Sequence, residues 1–163
     1  MESGPIGRLL FVERSFVSRS AISRWTETSR REENSEAGRN TVDFEALAGE
    51  LRNLREGVVG VTGTVLAAVD GIPIIADASD DIDPAKISAL AAADLGIARQ
   101  AAEMTGKGAL SQTVVFGTEG YMAVYAIGRL ALMVVLGDKG LNIGRLLFES
   151  RPVIERIGAI LAA

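Results

Sequence analysis

LSQTVVFGTEGYMAVYAIGRLALMVVLG, residues 110–137, decides the fold. It holds three apolar runs rich in β-branched residues, Leu110 to Gly117, Tyr121 to Gly128 and Leu130 to Gly137. Only Thr118-Glu119-Gly120 and the Gly128-Arg129 corner separate them. Links that short close antiparallel hairpins, because a parallel crossover needs about a dozen residues or more. In the middle run both alternating sets are apolar, with Tyr121, Ala123, Tyr125 and Ile127 on one side and Met122, Val124 and Ala126 on the other. The sheet is therefore predicted to be covered on both faces.

Upstream, TVLAAVDGIPIIADASDDIDP, residues 64–84, reads as another hairpin leading into a helix. Asp70-Gly71 lies between two apolar runs, a dipeptide suited to a tight turn because Gly accepts positive φ. The strands are expected at about Gly63 to Val69 and Ile72 to Ala76. Pro73 can donate no ladder hydrogen bond, which puts the second strand at an edge. Asp83 before Pro84 has the pattern of a helix N-cap followed by proline in the first helical position.

The helix that follows, PAKISALAAADLGIARQAAEMTGKG, is Ala-rich and closes at Gly106 or Gly108. Gly96 in its middle costs about 1 kcal/mol relative to Ala, which predicts a packing reason for it. Before the sheet, TVDFEALAGELRNLREG places Phe44, Leu47, Leu51 and Leu54 at helical spacing, with Asn40 or Thr41 as cap and Gly57 as stop. After it, LNIGRLLFESRPVIERIGAIL carries Ile143, Leu146, Leu147, Ser150, Val153, Ile154, Ile157 and Leu161 on one stripe. Pro152 lies off that stripe, predicting a kink rather than a break. The expected architecture is α+β, in the order α-β-β-α-β-β-β-α, one five-stranded antiparallel sheet with helices on both faces.

Composition narrows the function classes. The chain has 163 residues, no Cys and no His, and a formal net charge of −4. That removes disulfides, thiolate nucleophiles, Cys/His zinc sites and the commonest general base, and it supplies no basic field for nucleic acid. Residues 1–40 carry seven Arg and six Glu with little periodicity and read as a disordered or weakly structured tail, with the domain at 41–163. An interfacial membrane helix built on Leu9, Val12, Phe16, Ile22 and Trp25 is the alternative for that tail, but acids interrupt it. The short patch Leu9 to Val12 is far below a signal-peptide core or a membrane span, so the expected location is cytoplasmic, with membrane association only through partners.

Three apparent ligand motifs fail on spacing. Asp77, Ser79, Asp81 and Asp83 alternate like the start of a calcium loop, but its required Gly and Glu positions hold Ile82 and Ser88. Thr105-Gly106-Lys107-Gly108 would be a phosphate loop only with Gly at Ala101 and a hydroxyl residue after Lys107. Gly137-Asp138-Lys139-Gly140 reads as a turn, without nucleotide-binding spacing. No cofactor or metal is expected. An enzyme would have to combine Tyr121 or Tyr125 with Arg129 or Asp138, residues no motif joins. A small-molecule sensor would need a polar-lined cavity that this apolar core pattern does not offer.

The strings GVTGTVLAAVDGIPIIA and QTVVFGTEGYMAVYAIGRLALMVVLGDKGLNIG, with the Asp-Pro-opened helix between them and the closing helix, resemble the roadblock/LC7 family, especially its actinobacterial members. The resemblance spans residues 41–161. It implies profilin-like layering and a non-catalytic dimer joined through the third strand and the central helix into one continuous sheet. It further implies a Ras-like small GTPase as partner, either stimulated in hydrolysis or scaffolded, and a sensor-kinase-like protein as a companion.

Carried onto this chain, the pairing helix is Ile87 to Met104, with Ile87, Leu90, Ala91, Asp94 and Ala98 at the interface. The pairing edge is Leu110 to Phe116, with Leu110, Gln112, Val114 and Phe116. Residue chemistry points the same way, since LSQTVVF would otherwise be an uncharged, β-prone exposed edge. Arg99, Gln100, Glu103 and Arg129 are the expected partner contacts, Arg99 and Arg129 being candidates for an arginine finger. The family implication stops at an interface, because its bacterial members are thought to reposition the GTPase's own groups.

Overall fold

The computed structural model describes residues 42–163. The tail expected at 1–40 and the caps expected at Asn40 and Thr41 lie outside the described residues.

Helix α1 (Phe44–Gly57) leads into β1 (Val61–Ala68) and β2 (Pro73–Asp77), and α2 (Pro84–Met104) follows. Strands β3 (Gln112–Phe116), β4 (Gly120–Ile127) and β5 (Ala131–Asp138) come next, and α3 (Ile143–Ala162) closes the domain. The five strands form one sheet in the order β2-β1-β5-β4-β3, every neighbouring pair antiparallel. This is the expected α+β order. Pro73 sits on an edge strand, where its missing N–H costs no ladder bond.

Each face of the sheet carries its own core. Leu47 and Leu51 of α1 and Leu146, Val153 and Ile157 of α3 pack on Leu66, Ala123, Tyr125 and Met133. On the other face Ala91 and Leu95 of α2 pack on Val65, Ala67, Val124, Leu132 and Val134. The alternation within β4 sends Ala123 and Tyr125 to one core and Val124 to the other, which is why neither alternating set could be polar. Ion pairs of Arg55 with Asp77 (2.7 Å) and of Arg156 with Glu50 (2.8 Å) tie α1 to β2 and α3 to α1.

Several local expectations are corrected. Asp43 caps α1, accepting from the Ala46 N–H at 2.9 Å, and so takes the role assigned to Asn40 or Thr41. The Asp70-Gly71 hairpin has a three-residue loop rather than a two-residue one. Gly71 N–H donates to Ala68 C=O and Ala68 N–H to Ile72 C=O, with Gly71 at φ 86°. Gly71 is needed twice over, since a Cβ there would lie 3.0 Å from Ala89 Cα of α2. Gly96 has no such reason among the described residues, where an added Cβ would meet nothing within 4 Å. Helix α3 runs through the exposed Pro152 to Ala162.

The acids and glycines of the failed ligand motifs have structural work. Asp83 caps α2, accepting from the Ala85 and Lys86 N–H groups, while Asp77 pairs with Arg55. Asp81 is fully exposed, and a hydrogen bond from Ser79 holds its carboxyl below the usual range. At the other end of α2, Gly106 at φ 65° donates to Glu103 C=O and Lys107 N–H donates to Ala102 C=O. That double bond pattern is a helix stop, so Thr105 to Gly108 terminates α2.

Candidate functional site

Among the described residues, β3 pairs on one side only, with β4, and so forms an open sheet edge. Its backbone alternation follows from two bonds at its ends. Ala126 N–H donates to Ser111 C=O, and Gly117 N–H donates to Gly120 C=O. With antiparallel periodicity, Thr113 and Val115 therefore turn their backbone groups toward β4, while Gln112, Val114 and Phe116 turn theirs to the open side. Side chains alternate as well. Opposite partners share a face, so Gln112, Val114 and Phe116 lie on the α1/α3 face with Tyr125, Ala123 and Tyr121. Phe116 is 68% exposed, its ring edge-on to Tyr121 at 5.4 Å between centroids.

Helix α2 crosses the opposite face and touches all five strands. At the β3 edge the Thr113 hydroxyl donates to Asp94 Oδ2, which sets the rotation of the helix there. Leu90 and Ile97 lie one turn before and after Asp94, so they share the flank that overhangs β3. Both are apolar and exposed, at 63% and 70%, and Met104 extends the same line at 88%. Ala93 and Ala101 fall between them. An uncharged strand edge and an exposed apolar helix flank thus form one surface.

The residues expected at a self-association interface divide on this geometry. Leu90 is on the overhanging flank, and Gln112, Val114 and Phe116 supply the open backbone edge. Ala91 is wholly buried against the chain's own sheet, so it cannot touch a second chain. Ile87 packs into the same core, Ala98 is half-buried, and Asp94 is engaged by Thr113. Leu110 has left strand geometry and packs beneath α2. Ala93, Ile97, Ala101 and Met104 lie on the same flank and are not among the expected residues, although the seven-residue spacing of Leu90, Ile97 and Met104 is visible in the sequence.

Arg99 and Glu103 occupy the opposite, polar flank of α2, while Gln100, three residues after Ile97 and four before Met104, lies beside the apolar line. Arg129 is exposed in the β4–β5 corner. Neither arginine is ion-paired among the described residues.

The residues that an enzyme would have combined are not assembled. Asp138 lies opposite Gly120 at one end of β5, accepting from the Gly140 N–H at 2.8 Å, while Arg129 is at the other end beyond Ala131. Strand rise separates the two ends by about 23 Å. Tyr125 is 1% exposed, with its hydroxyl beside that of Ser150 under α3, and among the described residues neither oxygen makes a hydrogen bond of full geometry. Burial pushes the Tyr125 phenol up from its ordinary pKa of 10.0, with the Ser150 hydroxyl pulling the other way. An open cleft of about 260 Å³ between β3 and α3, lined by Gln112, Arg151, Ile154 and Glu155, is smaller than ordinary ligand cavities.

Comparison with known proteins agrees with this architecture. A family model described as the Roadblock/LC7 domain matches residues 47–137. An uncharacterized protein of Methanocaldococcus jannaschii, MJ1340, is 29% identical over 101 residues, spanning 62% of this chain and 88% of that protein. A Roadblock/LC7 domain from Streptomyces avermitilis superposes with a TM-score of 0.66 at 22% identity, covering 71% of this chain and 97% of the other. MglB of Myxococcus xanthus superposes with a TM-score of 0.68 at 15% identity, covering 74% and 98%. At these identities the two structures share the fold.

Proposed function

This chain belongs to the Roadblock/LC7 domain family, and on that premise we propose that it is a non-catalytic, homodimeric adaptor that regulates or scaffolds a Ras-like small GTPase. The observation that carries the reading is the uncharged, open β3 edge overhung by Leu90 and Ile97. An uncharged, β-prone edge left open invites indiscriminate pairing, and a second copy covers it by the same surface on both chains. The polar flank of α2, with Arg99 and Glu103 and bordered by Gln100, and the β4–β5 corner with Arg129 stay outside that contact and are the surface offered to a different partner. The adaptor acts in the cytoplasm, with a sensor-kinase-like protein as a further member of the complex.

Two measurements test this. Sedimentation at micromolar concentration separates dimer from monomer, and a monomer overturns the reading. Single-turnover GTP hydrolysis by a Ras-like GTPase encoded beside this chain, with and without it, then divides the outcomes. Faster hydrolysis makes it an activator, and co-elution without a rate change makes it a scaffold. Neither effect removes the GTPase from the proposal.

A further inference from the structure

On the α1/α3 face the sheet is unevenly covered. Helix α1 packs on β1 and β2 and α3 on β4, while β3 takes its helix cover from α2 on the opposite face. Gln112, Val114 and the exposed Phe116 therefore form a shelf beside α3. At its Gln112 end the shelf deepens into the open cleft of about 260 Å³, walled by Arg151 and Ile154 one turn apart on α3. Ordinary ligands need about 300 Å³ or more, whereas one large side chain needs less. The rim carries one charge of each sign, Arg151 and Glu155, both exposed and neither ion-paired among the described residues.

We propose that this cleft seats Trp25 of the chain's own N-terminal segment, with Arg24 beside Glu155 and Glu27 beside Arg151. Trp25 is the only tryptophan of the chain, and Arg24 and Glu27 flank it, so one anchor brings both signs that complement the rim. Tryptophan is prominent among the side chains that fill desolvated pockets at protein contacts. Charge at longer range has the same sense. Residues 8–25 carry four Arg against one Glu, whereas residues 42–163 carry fifteen acids against ten bases.

The segment is also well placed to reach the cleft. Gly57 and Glu50 of α1 lie beside Arg145 and Arg156 of α3, so the two helices run antiparallel and the chain enters α1 at the C-terminal end of α3. Ile154 and Glu155 put the cleft toward that same end. The far flank of α3 is about two interhelical spacings away, roughly 20 Å. Residues 26–41 span up to about 50 Å when extended. So short a tether gives the segment an effective concentration on the order of millimolar, an advantage that no foreign peptide has.

The single tryptophan makes the seat readable in the full chain. Its emission is expected to be blue-shifted, and its quenching by acrylamide slower, than in the same chain unfolded in urea. Ile154→Glu places a carboxylate on the wall and Glu155→Arg reverses one rim charge. Each is expected to move emission and quenching toward the urea values. Glu155→Arg changes an exposed residue on which the fold does not depend. Adding Arg24→Glu to it is expected to restore the shielded signal, which a loss of folding would not allow.

With no native cysteine, Thr26→Cys combined with Arg151→Cys gives a second reading. Oxidation is expected to join the two positions within one chain, found by peptide mapping in a band of unchanged mass.

Trp25 quenched as fast as in urea overturns the proposal. Shielding that neither Ile154→Glu nor Glu155→Arg alters overturns it too, since Trp25 then lies elsewhere. A disulfide found only between chains, or no rescue by Arg24→Glu, does the same. The homodimer is tested separately by sedimentation, so either reading can fail alone.

Discussion

Asp94 of α2 accepts a hydrogen bond from the Thr113 hydroxyl of β3, and this pair lies on the flank of the helix that hangs over the β3 edge of the sheet. Without it the helix would still be held by Ala91 and Leu95, which are buried against the sheet. Its rotation about its own axis would be less constrained, because Ala-rich surfaces interlock weakly. A short polar contact thus positions an apolar surface.

Thr113→Val removes the donor and leaves a half-buried carboxylate unpaired. A hydrogen bond to a charged group contributes about 1.5–3 kcal/mol, so a loss of that order is expected in urea unfolding at fixed protein concentration. Adding Asp94→Ala should cost less than the sum of the two single changes. A double-mutant cycle with coupling below about 0.5 kcal/mol would show that the pair does not act as a unit.

Ile97→Glu should separate folding from association. Ile97 is 70% exposed in the single chain, so monomer stability should change by no more than about 0.5 kcal/mol. At the proposed interface the same carboxylate would be desolvated without a partner, and the dimer should weaken at least about ten-fold, equivalent to about 1.4 kcal/mol. Sedimentation reads both variants. Arg99→Ala and Glu103→Ala, on the other flank, should leave self-association unchanged and lower only binding to a GTPase.

Two glycines should respond with opposite signs to the same substitution. Gly71→Ala meets positive φ and the α2 backbone together, and should cost about 1–3 kcal/mol. Gly96→Ala enters open space in a helix interior and should stabilise the fold by about 0.5–1 kcal/mol. Thermal melts of the two variants check this. A fall in melting temperature for Gly96→Ala would mean that something packs on that flank after all.

Tyr125 supplies a pH dependence. Its pKa is raised by burial, so the folded chain prefers the protonated phenol more strongly than the unfolded chain does. That preference is intact below the ordinary value of 10.0, and stability should fall as pH rises from there through the higher folded value. Tyr125→Phe removes this alkaline loss. It also deletes a buried hydroxyl whose one polar neighbour, Ser150, it meets without full hydrogen-bond geometry, so near neutral pH the change should stay within about 1 kcal/mol. Urea unfolding across the alkaline range compares the two proteins.

The fold was legible because its signals are local. Hairpin links of two or three residues forced antiparallel neighbours, Asp83-Pro84 opened α2, and Gly106 closed it. The errors were also local and small. The α1 cap fell on Asp43, and Asp70-Gly71 took a three-residue loop, because turn length depends on register and not on the dipeptide alone. For the candidate surface the sequence pointed to β3 and α2, but it did not give the rotation of the helix. Small residues on every side of α2 give no clear inner face, so the sequence does not show that Ala91 turns inward and Ile97 outward.

Sequence by itself determined the element order, the antiparallel connectivity, the need for cover on both sheet faces and the absence of Cys and His chemistry. These depend on periodicity, link length and composition, which are properties of neighbours along the chain. Only the tertiary structure decided that Gln112, Val114 and Phe116 of the β3 edge turn their backbone groups outward, and that Leu90, Ile97 and Met104 overhang them. Strand order and helix rotation are set by contacts between residues far apart in sequence, such as Asp94 with Thr113, and no local pattern encodes those.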